Sequence, residues 1–184
     1  PKGGQPLHAV ELRGVEDQER PSALLEASDG AVWACTARSL FRIETTGAEP
    51  VARRIGPDDD QALTAIITLA QAPDGVIWAG TLGGGLLRVD RNSETVRFPL
   101  EALPTSHLNN IRGLAFDKDG ILWASTFGGV LLLDVSNPRS APRIKQAFGD
   151  TDGLPSQNCG GVYATYDHRM FVSTVAGATE FTST

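Results

Sequence analysis

The sequence predicts an all-β protein: β-propeller blades, about four four-stranded antiparallel units of roughly 45 residues each, forming part of a larger propeller. Three observations predict it. Trp33, Trp78 and Trp123 recur at one fixed interval, each preceded by an Asp-Gly pair, in "SDGAVWACT", "PDGVIWAGT" and "KDGILWAST". Thr36, Thr81, Thr126 and Thr174 each fall three residues after an aromatic, which in the last unit is Phe171. The chain also holds 20 glycines and 11 prolines, and no window of a dozen residues shows an apolar helical stripe with caps, so turns and short strands dominate.

The elements follow in order. "PLHAVEL" (6–12) reads as a lone strand before the first unit, expected to pair with a blade edge. The units then run approximately over 21–58, 64–100, 109–148 and 157–184. Within a unit, runs such as "VIWAGT", "LLRVD" and "TVRFPL" are short, β-rich and separated by turn residues. Asp29-Gly30, Asp74-Gly75 and Asp119-Gly120 suit tight hairpins between the first two strands. In the fourth unit Asp167-His168 takes that place, and with His168 where glycine stood the turn is expected to change type or lengthen. That unit also stops before an outer strand. A unit this small cannot bury both faces alone, so neighbours must stack. Each tryptophan, and Phe171 in the fourth unit, then fills the gap between blades.

Composition excludes several classes. The formal net charge is −6 with no cluster of Lys and Arg, which disfavours a nucleic-acid partner. No apolar run approaches the roughly 20 residues of a membrane span. No signal peptide is visible and the chain opens at Pro1, so it is expected to be a processed chain or an excised piece. Cys35 and Cys159 make neither a disulfide framework nor a zinc site and read as buried free thiols.

The pattern Asp-Gly-x-x-Trp-x-x-Thr-x-x-Gly-x-Leu-x-x-x-Asp resembles the two-component regulator propeller repeat. "DGVIWAGTLGGGLLRVD" (74–90) and "DGILWASTFGGVLLLD" (119–134) match it closely, and "DGAVWACTARSLFRIE" (29–44) more loosely. "LPTSHLNNIRGLAFDKDG" and "DGLPSQNCGGVYATYD" resemble the family's Leu-Pro-Ser-Asn lead-in to a blade, with Gln157-Asn158 departing from the usual order. The resemblance implies a periplasmic or extracellular sensor, the input region of a hybrid histidine kinase or diguanylate-cyclase receptor. No kinase, cyclase or membrane helix is encoded in these residues.

His8, His107 and His168 show no ligand-like spacing, and "DDD" (58–60) lacks the spaced oxygens of a calcium loop, so no metal and no cofactor is expected. "GGG" (83–85) lacks the lysine and helix of a phosphate cradle, and no Gly-x-Ser-x-Gly occurs. A propeller lactonase or lyase would need acidic or histidine side chains on its innermost strands, where "ALLEA", "IITLA", "IRGLA" and "GGVYA" offer only Glu26 and Arg112. The expectation is therefore sensing without catalysis, with an enzyme or a pure interaction scaffold as alternatives. The ligand face comprises 55–62, 101–110, 149–158 and the connections near Ala37, Leu82, Phe127 and Val175. His107, Asn109, Asn110, Arg112, Ser156, Gln157 and Asn158 are its candidate contacts, for a small molecule such as a saccharide. Asn and Ser there have a structural reading too, as turn caps. Self-association through open blade faces is the other expected partnership.

Overall fold

The computed structural model describes residues 9–13, 15, 19–47, 49–56, 65–90, 93–100, 106–137 and 140–181. They form four antiparallel sheets, each a meander in chain order. Blade 1 holds β1 (Ala23–Glu26), β2 (Val32–Cys35), β3 (Leu40–Glu44) and β4 (Val51–Ile55). Blade 2 holds β5 (Ile66–Gln71), β6 (Ile77–Thr81), β7 (Leu86–Val89) and β8 (Thr95–Phe98). Blade 3 holds β9 (Ile111–Phe116), β10 (Leu122–Thr126), β11 (Gly129–Asp134) and β12 (Arg143–Phe148). Blade 4 has three strands, β13 (Cys159–Ala164), β14 (Met170–Thr174) and β15 (Gly177–Phe181). The first strands β1, β5, β9 and β13 contact one another in series, so they are the innermost of a radial arrangement.

The Asp-Gly pairs build one hairpin three times over. The Gly30 N–H donates to Ala27 O and the Ala27 N–H to Ala31 O, at 2.9 and 2.8 Å, and the same two bonds recur around Gly75 and Gly120. This is a three-residue loop whose last position must be left-handed, and φ is +83°, +89° and +76° at the three glycines. The aspartate is not there for positive φ. Its Oδ1 accepts the N–H two residues on, from Ala31 at 3.0 Å and from Val76 at 3.1 Å. In blade 4 the expectation of a changed or longer turn is corrected. His168 adopts φ +66° and keeps both bonds, His168 N–H to Thr165 O and Thr165 N–H to Arg169 O. The flanking ladder fixes the loop length, so the side chain accepts an unfavourable backbone instead.

The recurring threonines close the β2–β3-type turns. Thr81 and Thr126 hydroxyls donate to Gly85 O and Gly129 O, both at 2.9 Å, and Thr174 to Gly177 O at 3.2 Å. Thr36, Thr81 and Thr126 are buried, so a hydroxyl that meets its own turn is a necessity there.

Three clusters hold the blades together. Trp33 packs with Ile66, Leu69 and Leu87 of blade 2, Trp78 with Leu114, Leu122 and Leu131 of blade 3, and Trp123 with Met170 and Val172 of blade 4. The three indoles are 6%, 2% and 7% exposed. Near the axis, small residues let the blades close up. A methyl on Gly80 would lie 2.5 Å from Ile111 Cγ2, and one on Gly113 would lie 2.6 Å from Val162 N. Phe171 stands in the tryptophan register, opposite Tyr163 and Glu180, but is only half-buried, because no blade follows it among the described residues.

The expected lone strand over 6–12 needs correcting for its described part. Residues 6–8 lie outside the described residues, and 9–12 form no ladder. Val10, Leu12 and Val15 instead pack on the outward face of blade 1, against Ala34, Phe41 and Ile43. Val10 and Leu12, either side of the exposed Glu11, share an apolar side, and a sheet face satisfies it where a sheet edge was expected. Both cysteines are free and buried, as read from their contexts.

Candidate functional site

The ends of the blades carrying the threonine turns and the segments leading into β9 and β13 form one face. Residues 57–62 and 101–105, part of the expected ligand face, lie outside the described residues, as does the 58–60 acidic run. The candidate contacts divide into two clusters.

The first surrounds a 3-10 turn, Ser106–Asn109. Leu108 is buried in the cluster of Trp78 and anchors it. Asn109 is a fastener: its Oδ1 accepts the Leu100 N–H at 2.6 Å, and its carbonyl accepts Gly83 N–H at 3.0 Å and Gly85 N–H at 3.1 Å. It thus ties the blade 2 turn to the blade 3 lead-in. Asn110 forms a bridge to Leu82 in the same seam. His107 is exposed, and Arg112 is exposed with its guanidinium carbon 4.9 Å from the centre of the Phe127 ring.

The second cluster follows another 3-10 turn, Asp150–Asp152, where the Asp152 carboxylate accepts the Gly149 N–H at 2.8 Å. Leu154 is buried at the junction of blades 3 and 4. Ser156 Oγ accepts the Asn158 N–H at 3.2 Å, and the Asn158 carbonyl accepts the Val175 N–H at 3.1 Å. Gln157 and Asn158 are exposed, and Ser156 is half-buried. Asn109 and Ser156 therefore have the turn-holding roles that Asn and Ser commonly fill. Of the candidate contacts, His107, Arg112, Gln157 and Asn158 are the ones exposed to solvent.

On the other side of the arc a cleft recurs at each junction, of about 320, 410 and 540 Å³ from blade 1 to blade 4. Each is walled by the junction's tryptophan and by the last residue of the next hairpin loop, Gly75, Gly120 or His168. A hollow repeated with the same members follows from blades splaying apart, and its cations are engaged. Arg88 Nε donates to Asp90 Oδ1 at 2.8 Å, and Arg42 to Asp29 Oδ2 at 2.7 Å, which holds the Asp29 carboxyl below the usual carboxylate range.

Two structural residues escaped the sequence reading. Asp117 accepts the Trp123 indole N–H at 2.8 Å and two backbone N–H groups of its own hairpin. Glu19 accepts the Thr36 hydroxyl at 2.9 Å and the Arg38 N–H at 2.6 Å. The position of Asp117 two residues before Asp119 was a legible signal; Glu19 lies outside the repeat and offered none.

Residues 107–128 match the family described as two component regulator propeller. The match spans the 3-10 turn, β9, the Asp-Gly hairpin and β10. No curated protein matches the chain. Among solved structures, the chain is similar to the extracellular domain of a B. thetaiotaomicron protein described as a one component system. The TM-score is 0.74 at 17% identity, over 97% of this chain and 26% of that one. A second extracellular domain from B. thetaiotaomicron, of a hybrid two component system, aligns with TM-score 0.63 and 16% identity over 95% and 29% of the two chains. Virginiamycin B lyase from Staphylococcus aureus aligns with TM-score 0.65 and 12% identity, over 90% and 56%. These likenesses establish the β-propeller fold, and the chain spans about a quarter of the length of the B. thetaiotaomicron domains. No helix among the described residues is long and apolar enough to cross a membrane.

Proposed function

We propose that these blades belong to the extracellular or periplasmic sensing propeller of a two-component-type receptor. In this reading the threonine-turn face binds a small molecule, such as a saccharide, without transforming it. The observation that carries the reading is the regulator-propeller match at 107–128, which falls on the seam where His107 and Arg112 emerge. Two features support it. The repeated Asp, Gly, Trp and Thr residues have architectural tasks, which frees the lead-in loops to vary as binding loops on a rigid scaffold do. The innermost strands carry only Glu26 and Arg112 as charged side chains, a poor basis for acid–base chemistry.

The lyase likeness makes an enzyme the reading to test against. A thermal-shift screen of the complete propeller with sugars and common metabolites should reveal a stabilising ligand. At a hundred times its dissociation constant a ligand adds about 2.7 kcal/mol. Turnover of a lactone or glycoside with no stabilising ligand would overturn the sensing reading.

A further inference from the structure

Arg112 sits at an irregularity of its strand. Thr126 pairs with Ile111 and Ser125 with Gly113, so Arg112 has no partner of its own on β10 and is the extra residue of a β-bulge. β5 has the same irregularity at Ile67, between Ile66↔Thr81 and Thr68↔Gly80, and β13 has it at Gly160-Gly161. A bulge turns a side chain out of the alternation of its strand, and bulges gather beside binding sites. Three innermost strands therefore re-aim a residue at equivalent positions on one face. In two of them that residue is aliphatic or glycine; in β9 it is arginine.

Three further facts describe this arginine. It is exposed. Its guanidinium lies over Phe127, in the β10–β11 turn of its own blade, at 4.9 Å from the ring centre. It makes no ion pair with any described residue, whereas Arg42, Arg88, Arg143 and Arg169 are all matched to carboxylates. Arg88 and Arg169 also lie over rings, those of Phe98 and Phe171, and both are paired with a carboxylate, which Arg112 is not. The Phe127 ring holds the guanidinium beside the turn, and no described carboxylate takes up its N–H groups. A guanidinium fork can grip two oxygens of an oxyanion through such groups. His107 stands beside the same turn: a methyl on Gly128, next to Phe127, would lie 3.5 Å from His107 Cβ.

We propose that Arg112, seated on Phe127, is the anion-recognising element of the sensing face, and that the ligand carries a carboxylate, phosphate or sulfate group. The proposal rests on the sensing reading and narrows its ligand class. Aliphatic or glycine residues at the other bulges would leave a single anionic group at one end of an otherwise uncharged ligand.

The test uses the full chain at constant ionic strength, with glucuronate, glucose 6-phosphate, inorganic sulfate and neutral glucose as probes, read by calorimetric titration and thermal shift. At least one of the three oxyanion probes should bind, and glucose should bind at least tenfold more weakly, as expected for loss of a charge-assisted bidentate contact. Which of the three binds identifies the oxyanion. Arg112→Gln should weaken that binding at least tenfold while leaving the ligand-free melting temperature unchanged, since the side chain is exposed at a bulge. Phe127→Leu should weaken it about two- to fivefold through the lost cation–π contact. Equal binding to wild type and Arg112→Gln would overturn the assignment, as would no binding of any oxyanion. Glucose binding that is indifferent to Arg112→Gln would overturn the anion assignment but leave the sensing reading standing. Turnover of a probe would overturn the sensing reading itself.

Discussion

Replacing Trp78 with alanine tests the architecture most directly. The indole is 2% exposed, lies 5.8 Å from the Phe98 ring centre and packs on Leu114, Leu122 and Leu131 across the junction of blades 2 and 3. An aromatic of this size buries about 150–250 Å², worth about 4–6 kcal/mol at 25 cal/mol per Å², as an upper bound. Alanine keeps the Cβ, and the 410 Å³ cleft that reaches Trp78 would let water fill the hole rather than leave it empty. Both effects lower the figure, to about 3 kcal/mol, near the lower end of observed Trp→Ala losses. Urea denaturation followed by far-UV circular dichroism should therefore show an earlier midpoint. In a linear stack each blade contacts only its neighbours, so the transition should also broaden or split as the two halves uncouple. A loss below 1 kcal/mol with an unchanged single transition would refute the plug role of the tryptophans.

Other outcomes follow from single features. His168→Gly removes a left-handed backbone from a non-glycine residue, and the entropy of glycine in the unfolded chain offsets part of the gain; a net rise of about 1–4 °C in melting temperature is expected. A drop would show that the histidine side chain, not the turn, sets the local stability. Burial, reinforced by the charge of Asp150, pushes the Cys159 thiol up to about 11 from an ordinary 9.0, and burial also raises Cys35. The folded state thus favours the neutral thiols, so this contribution is complete below pH 9.0 and is lost as pH rises through about 11. At pH 8 an aromatic disulfide reagent should label neither cysteine until denaturant is added; rapid labelling of the native chain would contradict it. Finally, Tyr163 and Val175 are 68% and 74% exposed on blade 4, and the 184-residue chain in isolation is expected to self-associate there. Light scattering should give a mass above that of one chain, falling towards the monomer in Tyr163→Ser; a strict monomer in the wild type would count against it.

The repeat was legible because a propeller writes its needs locally. A glycine at the left-handed end of a hairpin loop, a tryptophan at one register and a threonine at the next turn are each set by a few neighbouring residues, and they recur in sequence as they recur in space. Arg112 was readable as a charge among apolar neighbours, but its bulge was not. The shift between Ser125 and Thr126 is a property of the pairing of two strands, and the residues around it look like those of a regular strand. His168 misled because glycine's absence argued for a new turn, whereas a ladder formed on both sides tolerates a costly φ. The N-terminal strand misled in another way: Val10 and Leu12 flanking Glu11 report that one side of the chain is apolar, and do not say whether a sheet edge or a sheet face will cover it.

The chain places one tryptophan at each of its three junctions, and each indole has different company. Trp33 shares its cleft with Arg42, Trp78 leans on Phe98, and Trp123 donates its indole N–H to Asp117 between two phenylalanines. The arc is therefore its own set of three optical labels, one per seam. Variants that retain a single indole would turn fluorescence from a global reading into a positional one. They would show whether the blades part first at one end or in the middle, and whether a molecule gripped beside Arg112 tightens the seam on one side of blade 3 before the other.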